Sequence, residues 1–260
     1  NLIKKIKKIR VGVVGVAGKM GKAIANIAIN DPDISLNAGS EENSHELIGE
    51  DIGKILGKNP LNVFVDDNIK SFFKNIDVAI EFGLEQATIR YLKEASNCKV
   101  AFLSGSTGIS SNTFKLMKKL SNNIPILWSP NMSIGANLVK EIAAETANKL
   151  GKDFDIDITD IHHKEKRDIP SGTALSIKEE IENKLKKNQI KKDVNISAIR
   201  AGDATGDHSV IFSGNGERIT IKHASSSRRI FAHGAVKISK WLYKQKAGFY
   251  NMKNFLDIKG

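Results

Sequence analysis

The densest run of chemically capable side chains in the 260-residue sequence is His162-His163-Lys164-Glu165-Lys166-Arg167-Asp168-Ile169-Pro170-Ser171-Gly172-Thr173. It begins where a strand-like segment ends and finishes where a helical pattern starts. Histidine exchanges protons near neutral pH, and lysine donates one when its surroundings lower its pKa. Ser171 or Thr173 can cap the helix, whose free N–H groups then offer a carboxylate site. Lys166 adds a full positive charge nearby. Taken singly, a His pair is often a polar strand end and Ser-Gly-Thr only a cap. Together they suit proton transfer to or from a small anion. No metal is expected, because His162 and His163 are adjacent rather than four apart and no cysteine pair supports them.

A second constellation opens the chain. Gly15-x-x-Gly18-x-x-Gly21 stands between a strand and a helix, where glycines let the backbone approach a pyrophosphate and the helix start presents N–H groups. Ala17 takes the usual second glycine position of the dinucleotide fingerprint. Glu41, twenty residues after Gly21, can accept hydrogen bonds from an adenosine ribose. Glu42 beside it would repel a 2′-phosphate, while Lys19 and Lys22 could attract one. The expectation is that NADH serves at least as well as NADPH.

The elements that must carry these residues follow from periodicity. Residues 9–16 form a valine-rich run, as in a strand buried on both faces. Met20, Ile24, Ile27 and Ala28 recur at helical spacing until Asn30-Asp31-Pro32-Asp33 stops them, and 34–40 make a second strand. Apolar runs at 76–82, 100–103 and 124–128 alternate with helical patterns at 85–96 and 112–120. That alternation predicts a Rossmann-type, doubly wound parallel sheet. Past Pro130 the style changes: helices at 138–150 and 173–187, and strands at 154–161, 194–200, 208–212 and 218–223, the last three without an intervening helix. This predicts a second, α+β domain on an antiparallel or mixed sheet. The expected division is a dinucleotide-binding domain at 1–130, with 235–260 returning to it, and a substrate-binding and oligomerisation domain at 131–234. A last helix is expected at 229–244.

Composition limits the alternatives. The formal charge is +11, from 40 Lys and Arg against 29 Asp and Glu, with clusters at 4–10, 162–167 and 184–192. Only 6% of residues are aromatic, too few to interleave stacking rings with the cations, so nucleic acid is not expected as a partner. No apolar run reaches the ~18–20 residues of a membrane span. One cysteine, Cys98, suits a reducing compartment, and the expected location is the cytoplasm. Cys98 reads as a buried small residue, and His45, His208, His223 and His233 as surface or hydrogen-bonded histidines.

The string His162-His163-x-x-Lys166-x-Asp168-x-Pro170-Ser171-Gly172-Thr173-Ala174 resembles the signature of the dihydrodipicolinate (4-hydroxy-tetrahydrodipicolinate) reductases of the diaminopimelate branch of lysine biosynthesis. The similarity runs the length of the chain, through Gly105-Ser106-Thr107-Gly108, Asn131-Met132-Ser133-Ile134-Gly135, Arg200-Ala201-Gly202-Asp203, Gly216-Glu217-Arg218 and Phe231-Ala232-His233-Gly234-Ala235. The resemblance implies an N-terminal Rossmann domain, a C-terminal mixed-sheet domain and a homotetramer. It implies that His162 is a proton donor or acceptor and Lys166 a proton donor. Contacts to a small dicarboxylate heterocycle then fall on His163, Ser171, Gly172 and Thr173. Contacts to NADH or NADPH fall on Gly15, Val16, Ala17, Gly18, Lys19, Met20 and Glu41, on Gly105, Ser106 and Thr107, and on Ser129, Pro130, Asn131 and Met132. Three residues depart from the pattern: Glu42 where some relatives carry a phosphate-holding arginine, Ser106 for a threonine, and Gly83 for a threonine near the nicotinamide. Two other readings stay open here: another two-domain nicotinamide reductase, and a nucleotide-sensing or basic nucleic-acid-binding protein without catalysis.

Overall fold

In the computed structural model, residues 7–257 are described; the basic cluster at 4–10 and the last residues of the returning segment extend outside them. Two compact units form, one from residues up to 132 and from 231 onward, the other from 133–230. The boundaries expected at 130 and 234 thus fall at 132 and 230.

In the first unit, β1 (Ile9–Val14), α1 (Lys19–Ala28) and β2 (Ile34–Ser40) make the opening βαβ. Next come α2 (Ile52–Ile55), β3 (Val65–Asp66), α3 (Ile69–Phe73), β4 (Val78–Glu81), α4 (Glu85–Cys98), β5 (Ala101–Ser104), α5 (Ser111–Leu120) and β6 (Pro125–Trp128). The second unit supplies α6 (Ile134–Leu150), β7 (Asp155–His162), α7 (Gly172–Lys187), β8 (Val194–Arg200), β9 (Gly206–Ser213) and β10 (Arg218–Ser225). The chain ends in α8 (Arg229–Leu242), β11 (Gly248–Tyr250) and α9 (Met252–Phe255).

The first sheet has seven parallel strands in the order β11-β6-β5-β4-β1-β2-β3. Its central strands are apolar on both faces because helices cover both. On one side Ile24 of α1 and Ala235 and Ile238 of α8 pack with Val11 and Val13; on the other Phe72 of α3, Leu92 of α4 and Met117 of α5 pack with Phe102 and Ile126. Each such side chain, fully buried, contributes roughly 1.5–3 kcal/mol over leaving it exposed. Lys240 of α8 ties this returning helix to the α1–β2 turn through Asp31 at 2.8 Å and Asp33 at 3.2 Å.

Residues 44–73 carry no element expected from the sequence, and within them 51–62 are ordered around one carboxylate. Asp51 caps α2 and accepts backbone N–H groups from Gly53 (2.8 Å), Leu61 (3.0 Å) and Asn62 (2.6 Å), drawing ten residues of loop around itself. These donors hold its carboxyl below the usual range, against burial. Cys98, expected inside, is exposed at the end of α4, where the left-handed Lys99 turns the chain away.

The second sheet runs β10-β9-β7-β8. β9 is antiparallel to β7 and β10, while β7 and β8, joined over α7, are parallel, so the sheet is mixed. Ile177, Ile181 and Leu185 form one stripe of α7 and pack with Ala143 and Ala147 of α6 on Ile156, Ile158, Val210 and Phe212. The opposite face carries Thr159, Ile161, Ser209 and Ile211, each only partly buried within this unit.

Candidate active site

β7 alternates, so Asp160 and His162 share a face. The register sets His208 of β9 opposite Asp160, and Arg200 of β8 opposite His162. Four polar side chains from three strands therefore meet on the covered face of the sheet. Asp160 is fully buried. Its Oδ2 accepts from Arg200 Nη2 at 2.9 Å and from the Ser171 N–H at 2.7 Å. Its Oδ1 faces His162 Nδ1 at 2.9 Å, off the ideal hydrogen-bond direction, and His208 Nε2 at 3.3 Å. Arg200 also binds the Asp168 carbonyl at 2.7 Å, clamping the 163–171 loop to the strand it leaves.

The loop then presents the remaining residues. Lys166 Nζ lies 2.7 Å from Asp168 Oδ1, and its side chain is 24% exposed. His163 is fixed through its N–H to the Ala204 carbonyl, and its Nε2 lies 3.4 Å from Arg228 Nη2. Ser171 caps α7 by accepting the Ala174 N–H, and its hydroxyl is 3.1 Å from His208 Nε2. Gly172 and Thr173 form the first turn, Gly172 exposed. At Gly206 a Cβ would come within 2.9 Å of His162 Nε2, and φ is +154°, so glycine leaves that ring edge room.

Electrostatics follow from the burial. Burial would raise the Asp160 carboxyl, but the Ser171 N–H, Arg200 and the Ser171 hydroxyl outweigh it and hold it below the usual range. Burial lowers the His162 imidazole, with Lys166 and Arg200 adding to the effect and Asp160 opposing it. His208 is driven from 6.5 to about 4, chiefly by burial. One oxygen of Asp160 and one nitrogen each of His162 and His208 lie within 4.8 Å of one another, a spacing a metal ion could bridge. Arg200 already supplies a positive charge to this carboxylate through its other oxygen, Oδ2.

Sequence reasoning singled out His162, His163, Lys166 and Ser171 but missed Asp160, Arg200 and His208. Their signal was available in part: Asp160 stands two residues before His162 in an alternating strand. Arg200 and His208 lie 40 and 48 residues beyond Asp160 and join it only through strand pairing.

In the first unit, the candidate dinucleotide residues gather at the carboxyl ends of the parallel strands, where such sheets bind ligands. Gly15 turns with φ +68°, and a Cβ on Gly21 would fall 2.0 Å from the Gly15 carbonyl oxygen, so α1 starts hard against the turn. Gly18 caps α1 without any side chain, leaving first-turn N–H groups for a phosphate. Glu41 reaches back over the loop, Oε1 accepting the Ala17 N–H at 2.7 Å. Lys19 and Glu42 are exposed and Met20 partly so. This donor set fits a dinucleotide. Val16 and Met132 spend their side chains in the core, which leaves their backbone to face a ligand, and the Ser106 hydroxyl turns inward to Glu81 at 2.8 Å, as its expected backbone role requires. Gly105 is buried, Thr107 and Pro130 are exposed, and Ser129 Oγ donates to the Asn131 carbonyl at 2.7 Å.

The buried histidines set a pH dependence. On acidification from about pH 6.5 to about 4 the unfolded chain protonates His208 before the folded chain does, so stability present above this window is lost through it. His162 and His223, also lowered by burial, act in the same direction. Replacing His208 with Asn is expected to flatten, though not abolish, the fall of Tm across that window. Thermal unfolding in half-unit pH steps measures it, and an unchanged slope would contradict the assignment.

Comparison with known proteins identifies the family. The family model described as dihydrodipicolinate reductase, N-terminus, matches residues 9–132, and its C-terminal counterpart matches 135–256. Over 238 residues the chain is 40% identical to the 4-hydroxy-tetrahydrodipicolinate reductase of Wigglesworthia glossinidia brevipalpis, covering 91% of this chain and 88% of that one. It is 36% identical over 239 residues to that of Magnetococcus marinus, covering 86% and 89%. The structure of dipicolinate-bound dihydrodipicolinate reductase from Paenisporosarcina sp. TG-14 shares the fold, with a TM-score of 0.81 at 23% identity over 96% of this chain and 99% of that one. With both halves matched and identity of this level sustained across nearly the whole length, the chain belongs to the dihydrodipicolinate reductase family.

Proposed function

We propose that this chain reduces 4-hydroxy-tetrahydrodipicolinate to tetrahydrodipicolinate, in the diaminopimelate route to lysine, taking up one hydride and one proton and releasing water. The observation that carries this reading is the joining of His162 and the Ser171 helix start by Asp160, with Lys166 on the loop between them held by Asp168, in a chain of this family. A Rossmann-type domain in a reductase implies a nicotinamide dinucleotide, which when bound supplies the hydride.

The substrate's two carboxylates match the α7 start at Gly172 and Thr173, the Lys166 ammonium and the His163 ring. The hydroxyl leaves as water together with a proton from the adjacent ring carbon; hydride then enters at the carbon that bore the hydroxyl, and the electron-rich enamine so formed must regain a proton at the adjacent carbon. Lys166, positioned by its 2.7 Å contact with Asp168, is the group to which we assign delivery of this proton. His162 is neutral near pH 7; with Nδ1 turned to Asp160, its proton belongs there and Nε2 is left as an acceptor. His162 thus receives or relays a proton where Lys166 gives one. The nucleotide contacts are those of the Gly15–Met20 turn, Glu41, the 105–107 loop and residues 129–132.

Glu42 beside Glu41 disfavours a 2′-phosphate, so NADH is read as serving at least as well as NADPH. The partly buried outer face of the second sheet, with Ile161 and Ile211, supports association as a homotetramer, which sedimentation velocity measures. Among the described residues no helix is long and apolar enough to cross a membrane; with a single cysteine and small polar metabolites as ligands, the enzyme is read as cytoplasmic, which cell fractionation tests.

The defining experiment follows NADH absorbance with freshly generated substrate. Turnover is expected, and Lys166→Ala should lower kcat by roughly 10²-fold or more, the scale of a lost general acid, while NADH still binds. Near-normal turnover in that variant would remove Lys166 from the donor role. Run at equal salt with both dinucleotides, the same assay should show NADH at least matching NADPH in kcat/KM; a large NADPH advantage would reverse the preference.

A further inference from the structure

A carboxyl group that the mechanism above does not use lies beneath the 105–107 loop. Glu81, the last residue of β4, is fully buried. Its Oε2 accepts from Ser106 Oγ at 2.8 Å, Ser104 Oγ at 2.9 Å and Thr88 Oγ1 at 3.0 Å, and its Oε1 accepts the Gly83 N–H. Ser106 Oγ is also 3.0 Å from Oε1 and 2.7 Å from Thr88 Oγ1. These partners come from the turn after β4, from α4, from β5 and from the loop that leaves β5. Burial pushes the Glu81 carboxyl up, and the Ser106, Ser104, Gly83 and Thr88 donors pull it back.

Such a group is costly to bury, and an apolar residue could end β4 without that penalty. What the carboxyl contributes is a fixed loop. It draws the Ser106 side chain inward. On the other side of the same residue, the Ser106 carbonyl accepts Trp128 Nε1–H at 3.0 Å. The Gly105 N–H bonds the Glu81 carbonyl at 2.8 Å. Gly105 and Ser106 are thereby held at three points, the Gly105 N–H, the Ser106 side chain and the Ser106 carbonyl, and Thr107, immediately after them, is exposed.

We propose that Glu81 is a positioning residue for the dinucleotide: through Ser106 and Ser104 it sets the backbone of the 105–107 loop, and so governs cofactor affinity without touching the cofactor. The proposal rests on the reductase reading and on the placing of dinucleotide contacts at this loop. Fluorescence titration with NADH tests it in full-length Glu81→Gln, Ser106→Ala and the double variant. Glutamine keeps the size but turns one acceptor oxygen into a donor among hydroxyls. NADH affinity is expected to fall about tenfold in Glu81→Gln, the scale of one mispaired buried group. The double variant should bind no more weakly than Glu81→Gln, because both changes cut the same connection. Affinity for pyridine-2,6-dicarboxylate, measured by calorimetry, should stay within twofold, which a general loosening of the fold would not allow. Unchanged NADH affinity in folded Glu81→Gln, or equal losses for both ligands, overturns the proposal. If that variant does not fold, Ser106→Ala decides alone: weaker NADH binding with unchanged dicarboxylate binding supports it, and unchanged NADH binding refutes it. The titrations need no turnover, so a wild-type chain that binds NADH but reduces no substrate would refute the reductase reading while still deciding the role of Glu81.

Discussion

A carboxylate with no access to water must find its counter-charge and donors inside the protein, and Asp160 finds an arginine and a backbone N–H for one oxygen while two imidazoles face the other. An uncompensated ion there would cost several kcal/mol. Arg200, the Ser171 N–H and two imidazoles remove that cost, and in doing so they must hold fixed positions. One buried charge thus pins the end of β7, the end of β8, the start of β9 and the cap of α7. The two residues proposed as proton carriers, His162 beside it and Lys166 on the loop that Arg200 clamps, inherit their placement from it. The neutrality of His162 and His208 has the same origin, since burial disfavours their charged forms while Arg200 supplies the cation that Asp160 needs.

The nucleotide unit meets its task differently. The Gly15–Gly21 turn offers backbone N–H groups, which need no neutralising partner, and the strand ends that flank it come from a sheet whose apolar residues face helices on both sides. Where this unit does bury an ionisable group beside its ligand loop, at Glu81, it surrounds that group with hydroxyls rather than an opposite charge. The two units thus share a strategy of locking loops onto buried carboxyl groups, with different partners.

Much of this was legible from the sequence, for physical reasons that can be named. The valines of β1 and the four-residue stripes of α7 reflect burial on two faces and on one, and periodicity reports burial. The His162–Thr173 run was legible because its members are consecutive, so a strand end, a loop and a helix start are written in order. Arg200 and His208 were not, since only the pairing register of β7 with β8 and β9 brings them to Asp160, and register is a property of the assembled sheet. Residues 51–62 escaped for a related reason: Asp51 organises them by capturing N–H groups ten and eleven residues away, which leaves no repeat. For Val16, Met132 and Ser106 a position along the chain can be read, but only the fold shows that their side chains point inward.

The most direct test of the account is steady-state kinetics of Asp160→Asn, with NADH binding measured alongside. Asparagine keeps the shape but removes the charge that orients His162 and fixes the Ser171 helix start. The account predicts a fall in kcat of roughly 10²-fold or more with NADH affinity unchanged, because the dinucleotide belongs to the other unit. A folded Asp160→Asn enzyme that turns over at the wild-type rate would contradict it.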